Sequence, residues 1–178
     1  MTYSDKHTTT LYHFSDVGDI TEFVPRRVVR DRPPGREWLN GPLVWAINEA
    51  YDFLYLFPRD CPRIVVWATE RTHVDDRCRW LGRADRAAYF QTHWAGAISR
   101  ATLWRYTLPA DSFTMLGDVG MAVSKEVVKP IQKHRLTSLR TLLKARKVAL
   151  RPISDINAMT DLFETSLHVS AIRLGNAR

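Results

Sequence analysis

Leu43–Thr69 reads LVWAINEAYDFLYLFPRDCPRIVVWAT. Leu43–Ile47 is a compact apolar strand. Asn48–Phe57 follows with Ala50, Leu54 and Phe57 at helical spacing, and Pro58 closes that helix. Pro62 stiffens the next turn, and Arg63–Thr69 is a short apolar run of the kind that forms a buried strand.

Outward from this stretch the elements mix without a regular βαβ rhythm. Thr9–Phe14 reads as a strand, with Ser15 or Asp16 capping a brief helix through Phe23. Pro25–Gly41, rich in proline and arginine, reads as a long surface excursion. Arg71–Arg83 is charged and irregular, and Asp85–Arg100 places Ala87, Phe90, Trp94, Ala97 and Ile98 on one helical face. Leu103–Leu108 alternates as a half-buried strand does. Met121–Ser124 and Val127–Ile131 read as short strands. Thr137–Lys147 reads as a helix with Leu139, Leu142 and Leu143 inward. Val148–Ile153 is a further strand, Asp155 caps a helix through Phe163, and Ser166–Leu174 alternates again. The expectation is a single α+β domain over residues 1–178, with mixed and antiparallel sheets, flanking helices and residues 1–8 loosely attached.

Composition narrows the class. The chain has 178 residues, 45% hydrophobic and 25% charged, which excludes disordered and low-complexity classes and fits one domain. No apolar run approaches the roughly 20 residues of a membrane span, and the polar N-terminus lacks a secretory pattern. Two cysteines form no disulfide framework, so a reduced, cytoplasmic protein is expected. The formal net charge is +7, and the stretch Lys125–Arg151 carries nine basic residues against the single acid Glu126. That stretch predicts a local basic face able to meet nucleic acid or an acidic partner.

Most familiar sites are absent. There is no Walker-type glycine loop, no GxGxxG after a strand, no GxSxG and no HExxH. Cys61, His73, Cys78 and His93 fit no zinc spacing, so no metal is expected. Cys61, at the lip of a buried strand, reads as a structural thiol more readily than as a nucleophile. His13 shares a strand face with Leu11, while Tyr12 and Phe14 take the other. If Tyr12 and Phe14 face the core, His13 lines an open face. It is then either a histidine satisfied by a backbone partner or a donor that reads a ligand hydroxyl. On a helix Tyr51 and Tyr55 share a face, either as a stacking wall for a planar ring or as packing against a sheet. Arg59 and Arg63 bracket a turn stiffened by Pro58 and Pro62. They are placed to grip an anion, unless Asp60 pairs with one of them.

LYHFS at Leu11–Ser15, FVPR at Phe23–Arg26, VWAINEAYDFLYLFPRDCPR at Val44–Arg63, YTLPADSF at Tyr106–Phe113 and SLHVSAIRLGNA at Ser166–Ala177 resemble an uncharacterised bacterial domain family with no assigned activity. The opening LYHFS also resembles the start of ADP-ribosyltransferase-like folds, including the RNA 2'-phosphotransferases. That resemblance implies NAD or a related nucleotide as ligand, with ADP-ribose or a phosphate transferred to or from an acceptor such as nucleic acid. It implies His13 on the adenosine ribose, Arg26 on the phosphates, and Tyr51 or Tyr55 near the nicotinamide, with Arg59 as a further basic contact. Transferase branches carry a glutamate on a late strand, whereas Gly120–Ser124 has none. Glu126 is the nearest acid on its C-terminal side and Asp118 precedes it. The phosphotransferase branch relies on basic residues instead, a role open to Arg59. The competing class is a non-catalytic module using the basic face 125–151.

Overall fold

A computed structural model describes residues 10–27 and 34–177. The expected loose attachment of residues 1–8 lies outside the described residues, as does part of the 25–41 excursion. The elements, in chain order, are β1 (Leu11–Ser15), β2 (Val44–Asn48), β3 (Arg63–Trp67), α1 (Val74–Asp76), β4 (Arg86–Gln91), α2 (Ala95–Arg100), β5 (Leu103–Leu108), β6 (Thr114–Met115), β7 (Met121–Ser124), β8 (Gln132–Leu136), α3 (Leu139–Ala145), β9 (Val148–Ile153) and β10 (His168–Ile172). Short 3₁₀ turns join them, the longest being Glu49–Tyr55. The class is α+β, as expected. The chain forms two compact units, one from residues up to Asp52 with Leu103–Leu136, the other from Phe53–Thr102 with Thr137–Arg178.

The first unit is built on a six-stranded sheet ordered β6-β7-β2-β1-β5-β8. Every pairing in it is antiparallel. β1 lies near the centre, with Leu11 opposite Leu108 and His13 opposite Tyr106. One face carries a core of Leu11, Val44, Ala46, Tyr106, Leu108 and Ala122, closed by Phe23 and Val128. Segment 15–23 is not the expected helix. Its backbone polar groups are taken by tertiary partners, because the Tyr106 hydroxyl donates to the Val17 carbonyl and accepts from the Ile20 N–H. Lys133 Nζ donates to the Gly18 carbonyl, and Phe23 pairs with Val128. Residues 127–131 form no strand; Val128 makes that bridge, the Ile131 N–H donates to the Thr107 carbonyl at 2.8 Å, and the strand lies later, at β8.

The second unit holds a four-stranded mixed sheet ordered β10-β3-β4-β9. β3 is antiparallel to both neighbours, and β4 runs parallel to β9. Ile64, Val66, Ala87 and Tyr89 meet Leu81, Ile156, Leu162 and Leu167 on one face. Residues 86–91 form a strand where the spacing predicted a helix. β4 lies between β3 and β9 with Ala87 to Gln91 all buried, so it is apolar on both faces and lacks period-two alternation. Arg71–Arg83, expected to be irregular, contains α1 followed by one π-helical turn, Arg77–Leu81. The Asp155 carboxylate accepts the Asn157 N–H in a local turn, and helical winding starts only at Thr160.

Candidate functional site

β2 organises the most functionally suggestive part of the first unit. The His13 ring donates from Nδ1 to the Trp45 carbonyl at 2.8 Å. A carbonyl only accepts, so this bond assigns the ring proton to Nδ1 and makes Nε2 an acceptor in the neutral imidazole. The ring packs on Phe23 at 4.6 Å between centroids. Alternation along β1 is as expected, but the His13 face is the one that carries the core, and Tyr12 on the opposite face is buried as well. His13 itself stays half-buried.

Arg26 is anchored to the same strand margin. Its N–H donates to the Leu43 carbonyl at 3.1 Å, and the Leu43 N–H donates back to the Arg26 carbonyl at 3.0 Å. The Arg26 side chain is exposed while its backbone is fixed. Leu43 and Trp45 are two residues apart, and Phe23, three residues before Arg26, lies against His13. The structure therefore brings His13 and Arg26 to one flank of β2.

The opposite face carries a polar group that sequence reasoning missed. The Arg105 guanidinium lies 4.4 Å over the Tyr12 ring, with Nη1 3.8 Å from Oδ2 of Asp52. Asp52 is almost fully buried, and Nε of Arg105 is buried with no hydrogen-bond partner. An aspartate inside the aromatic run AYDFLY and an arginine inside the alternating LWRYTL were the available signals. Where β2 ends, Asn48 abuts Gly120, whose backbone has φ +69. A Cβ there would overlap the Asn48 side-chain amide. Val119 and Gly120 both have positive φ, and the Met121 N–H donates to the Asp118 carbonyl at 2.9 Å, the arrangement of a type I′ turn.

Tyr51 and Tyr55 sit on a 3₁₀ turn rather than an α-helix. At three residues per turn, positions four apart point about 120° from each other, so helical spacing does not make them one wall. Tyr51 belongs to the first unit, and Tyr55 and Arg59 to the second. Glu126 is exposed on the turn after β7, where the Ser124 hydroxyl accepts its N–H at 3.1 Å.

In the second unit the expected anion grip by Arg63 is corrected. Its Nε and Nη2 both donate to the Leu54 carbonyl, at 2.9 and 2.7 Å, and Nη1 donates to the Cys61 carbonyl at 2.9 Å. The side chain is fully buried, with Phe57 4.9 Å from its guanidinium, and burial pulls its pKa down to about 10. Arg63 is a strut that ties the turn to the strand, while Arg59 stays on the surface. Cys61 is wholly buried and burial pushes its thiol up to about 12, which suits a structural thiol and not a nucleophile. Asn176 Nδ2 donates to the Asp60 carbonyl at 3.1 Å, so the FPRDCPR and SAIRLGNA segments meet. At α1 the Asp76 carboxylate accepts the Ser166 hydroxyl at 2.6 Å and its N–H at 2.7 Å, which hold it below the usual carboxylate range. Among the described residues no cluster of three or more His, Cys, Asp or Glu is arranged to hold a metal ion. Nor is any helix there long and apolar enough to cross a membrane.

The architecture is α+β, with one antiparallel and one mixed sheet. The chain belongs to a family of unknown function, DUF6886, whose model matches residues 12–177. No curated protein and no solved structure matches it.

Proposed function

We propose that the first unit binds NAD or a closely related nucleotide at the flank of β2, and that the protein is an ADP-ribosyltransferase-like enzyme acting on an acceptor such as nucleic acid. The observation that carries this reading is the placement of His13 and Arg26 on one strand margin, the His13 ring bonded to the Trp45 carbonyl of β2 and the Arg26 backbone paired with Leu43, the residue just before β2. The bond from Nδ1 to the Trp45 carbonyl orients the His13 ring, which recognises a ribose hydroxyl in this reading. Arg26 offers a guanidinium suited to a diphosphate, and its fixed backbone reduces the entropy lost on gripping one. Tyr51 supplies an aromatic surface in the same unit. NAD, when bound, supplies the glycosidic bond to nicotinamide. Glu126 is the nearest acid to β7 for positioning an acceptor, and the absence of an acid within β7 makes electrostatic holding of the phosphates the larger contribution.

Calorimetric titration with NAD, ADP-ribose and ATP tests the reading. Saturable binding of NAD and ADP-ribose is expected, with loss of about tenfold in His13→Ala, roughly one hydrogen bond, and of about tenfold or more in Arg26→Ala, roughly one charge-assisted bond. Unchanged affinity in both variants, with the fold intact by circular dichroism, would sink it. Glu126→Gln is expected to keep binding and to reduce nicotinamide release, read by chromatography.

A further inference from the structure

β8 forms an edge of the six-stranded sheet, paired only with β5 among the described residues. Gln132, Lys133, His134 and Arg135 are all exposed. An edge strand presents backbone donors and acceptors along its outer side, ready to pair with another strand. Register puts Lys133 opposite Tyr106 and Arg135 opposite Trp104, so both cations stand on one face and His134 on the other. Lys129 precedes the strand, and two large apolar side chains, Val127 and Ile131, are exposed on its approach, Ile131 at 70%.

Three occupants are conceivable, and the side chains discriminate among them. Self-pairing centred on His134 would set Lys133 against Arg135 of another copy, and like charges directly opposite are destabilising. A single-stranded nucleic acid needs an aromatic platform for its bases. Of the two aromatic residues on the cationic face, Tyr106 is buried, and Trp104 is covered by the Gly18 backbone and by Lys133 Nζ, 5.2 Å from the ring centroid. An acidic peptide in extended form satisfies every feature: backbone groups for the ladder, carboxylates opposite Lys133 and Arg135, and apolar side chains over Ile131 and Val127. Exposed apolar residues interleaved with cations fit a protein partner better than a phosphate backbone.

We infer that β8 is a docking edge for an acidic, extended peptide segment of a partner protein, which adds to the sheet as a further strand. This surface is independent of the nucleotide reading at β2.

The test uses the full chain and a fluorescein-labelled, capped peptide of alternating glutamate and threonine, followed by anisotropy at low and moderate salt. The same peptide with alternate backbone nitrogens methylated is expected to bind about tenfold more weakly, since it cannot complete the ladder. Lys133→Glu combined with Arg135→Glu is expected to lose about tenfold or more for the acidic peptide and to gain affinity for a lysine–threonine counterpart. The milder Lys133→Gln with Arg135→Gln keeps the test readable if the reversal disturbs folding. Equal binding of the methylated peptide would overturn the proposal, as would indifference to both variant pairs. Tighter binding of an oligouridine than of the acidic peptide would overturn it in favour of nucleic acid.

Discussion

Each unit buries an arginine against a sheet, and the two are treated differently. In the second unit Arg63 directs Nε, Nη1 and Nη2 to backbone carbonyls and is sealed from solvent. In the first, Arg105 stands 3.8 Å from the Asp52 carboxylate, keeps a buried Nε without a hydrogen-bond partner and remains partly exposed. A guanidinium whose three nitrogens all donate to buried backbone carbonyls is scaffold, held in place by the chain that surrounds it. Arg105 instead carries a buried donor that the surrounding chain leaves unpaired, a local desolvation cost that Arg63 does not bear.

The largest effect that this contrast predicts is on stability. Arg63→Ala leaves the Leu54 and Cys61 carbonyls buried without their donors, and a loss of about 3–5 kcal/mol is expected by urea unfolding. Arg105→Ala is expected to cost clearly less. Equal losses would break the comparison.

Next comes Gly120→Ala. It combines an unfavourable positive φ with an overlap on Asn48, so a loss of about 2–3 kcal/mol is expected by thermal unfolding. Truncating Asn48 to Ala in that background is expected to recover part of it.

The cysteines sharpen the picture of a sealed second unit. Exposed Cys78 is expected to react with a thiol reagent at pH 8, and Cys61 only after denaturation. The folded Cys61 thiol holds its proton more tightly than the unfolded one. Its contribution is therefore complete below about pH 9 and is lost as pH rises through about 12. Stability is expected to fall across that window in the parent, and to fall less in Cys61→Ala.

The acid limb has the opposite sign. Asp76 is held below its ordinary pKa by Ser166, so its contribution is present above the usual carboxylate range and is lost as pH falls through and below it. Ser166→Ala is expected to flatten that limb in acid titrations followed by fluorescence.

The smallest effect is a gain. Val119, β-branched at φ +36, occupies a turn position that favours asparagine, so Val119→Asn is expected to stabilise by about 0.5–1 kcal/mol.

Much of this fold was legible from local pattern. β3, β5, β7 and β9 follow from apolar runs or alternation, and α3 from its leucine stripe. β4 was hidden because a strand buried on both faces loses its period-two signature, and Ala87, Phe90 and Trp94 mimic a helical stripe. β8 was hidden for the reverse reason: QKHR is polar on both faces, and no hydrophobic periodicity marks an exposed edge. At the site, alternation put His13 with Leu11, but which face carried the core depended on Phe23 and Val128 arriving from distant sequence. The Arg105–Asp52 approach joins residues 53 positions apart, and spacing carries no trace of it. Arg63 was legible as important and misread in role, since sequence cannot tell a strut from a grip.

The interleaving of the two units has a consequence for how the chain is made. The first unit needs Leu103–Leu136 to complete its sheet, and the second needs Val148–Ile153 and His168–Ile172 to flank β3 and β4. On a ribosome, β1 must therefore wait for β5, and β3 and β4 must wait for β10 and β9. Neither half completes before the other is largely synthesised, and non-local pairing of this kind slows folding. Nascent β3 and β4, apolar on both faces, can pair with each other in that interval but lack their outer neighbours β10 and β9.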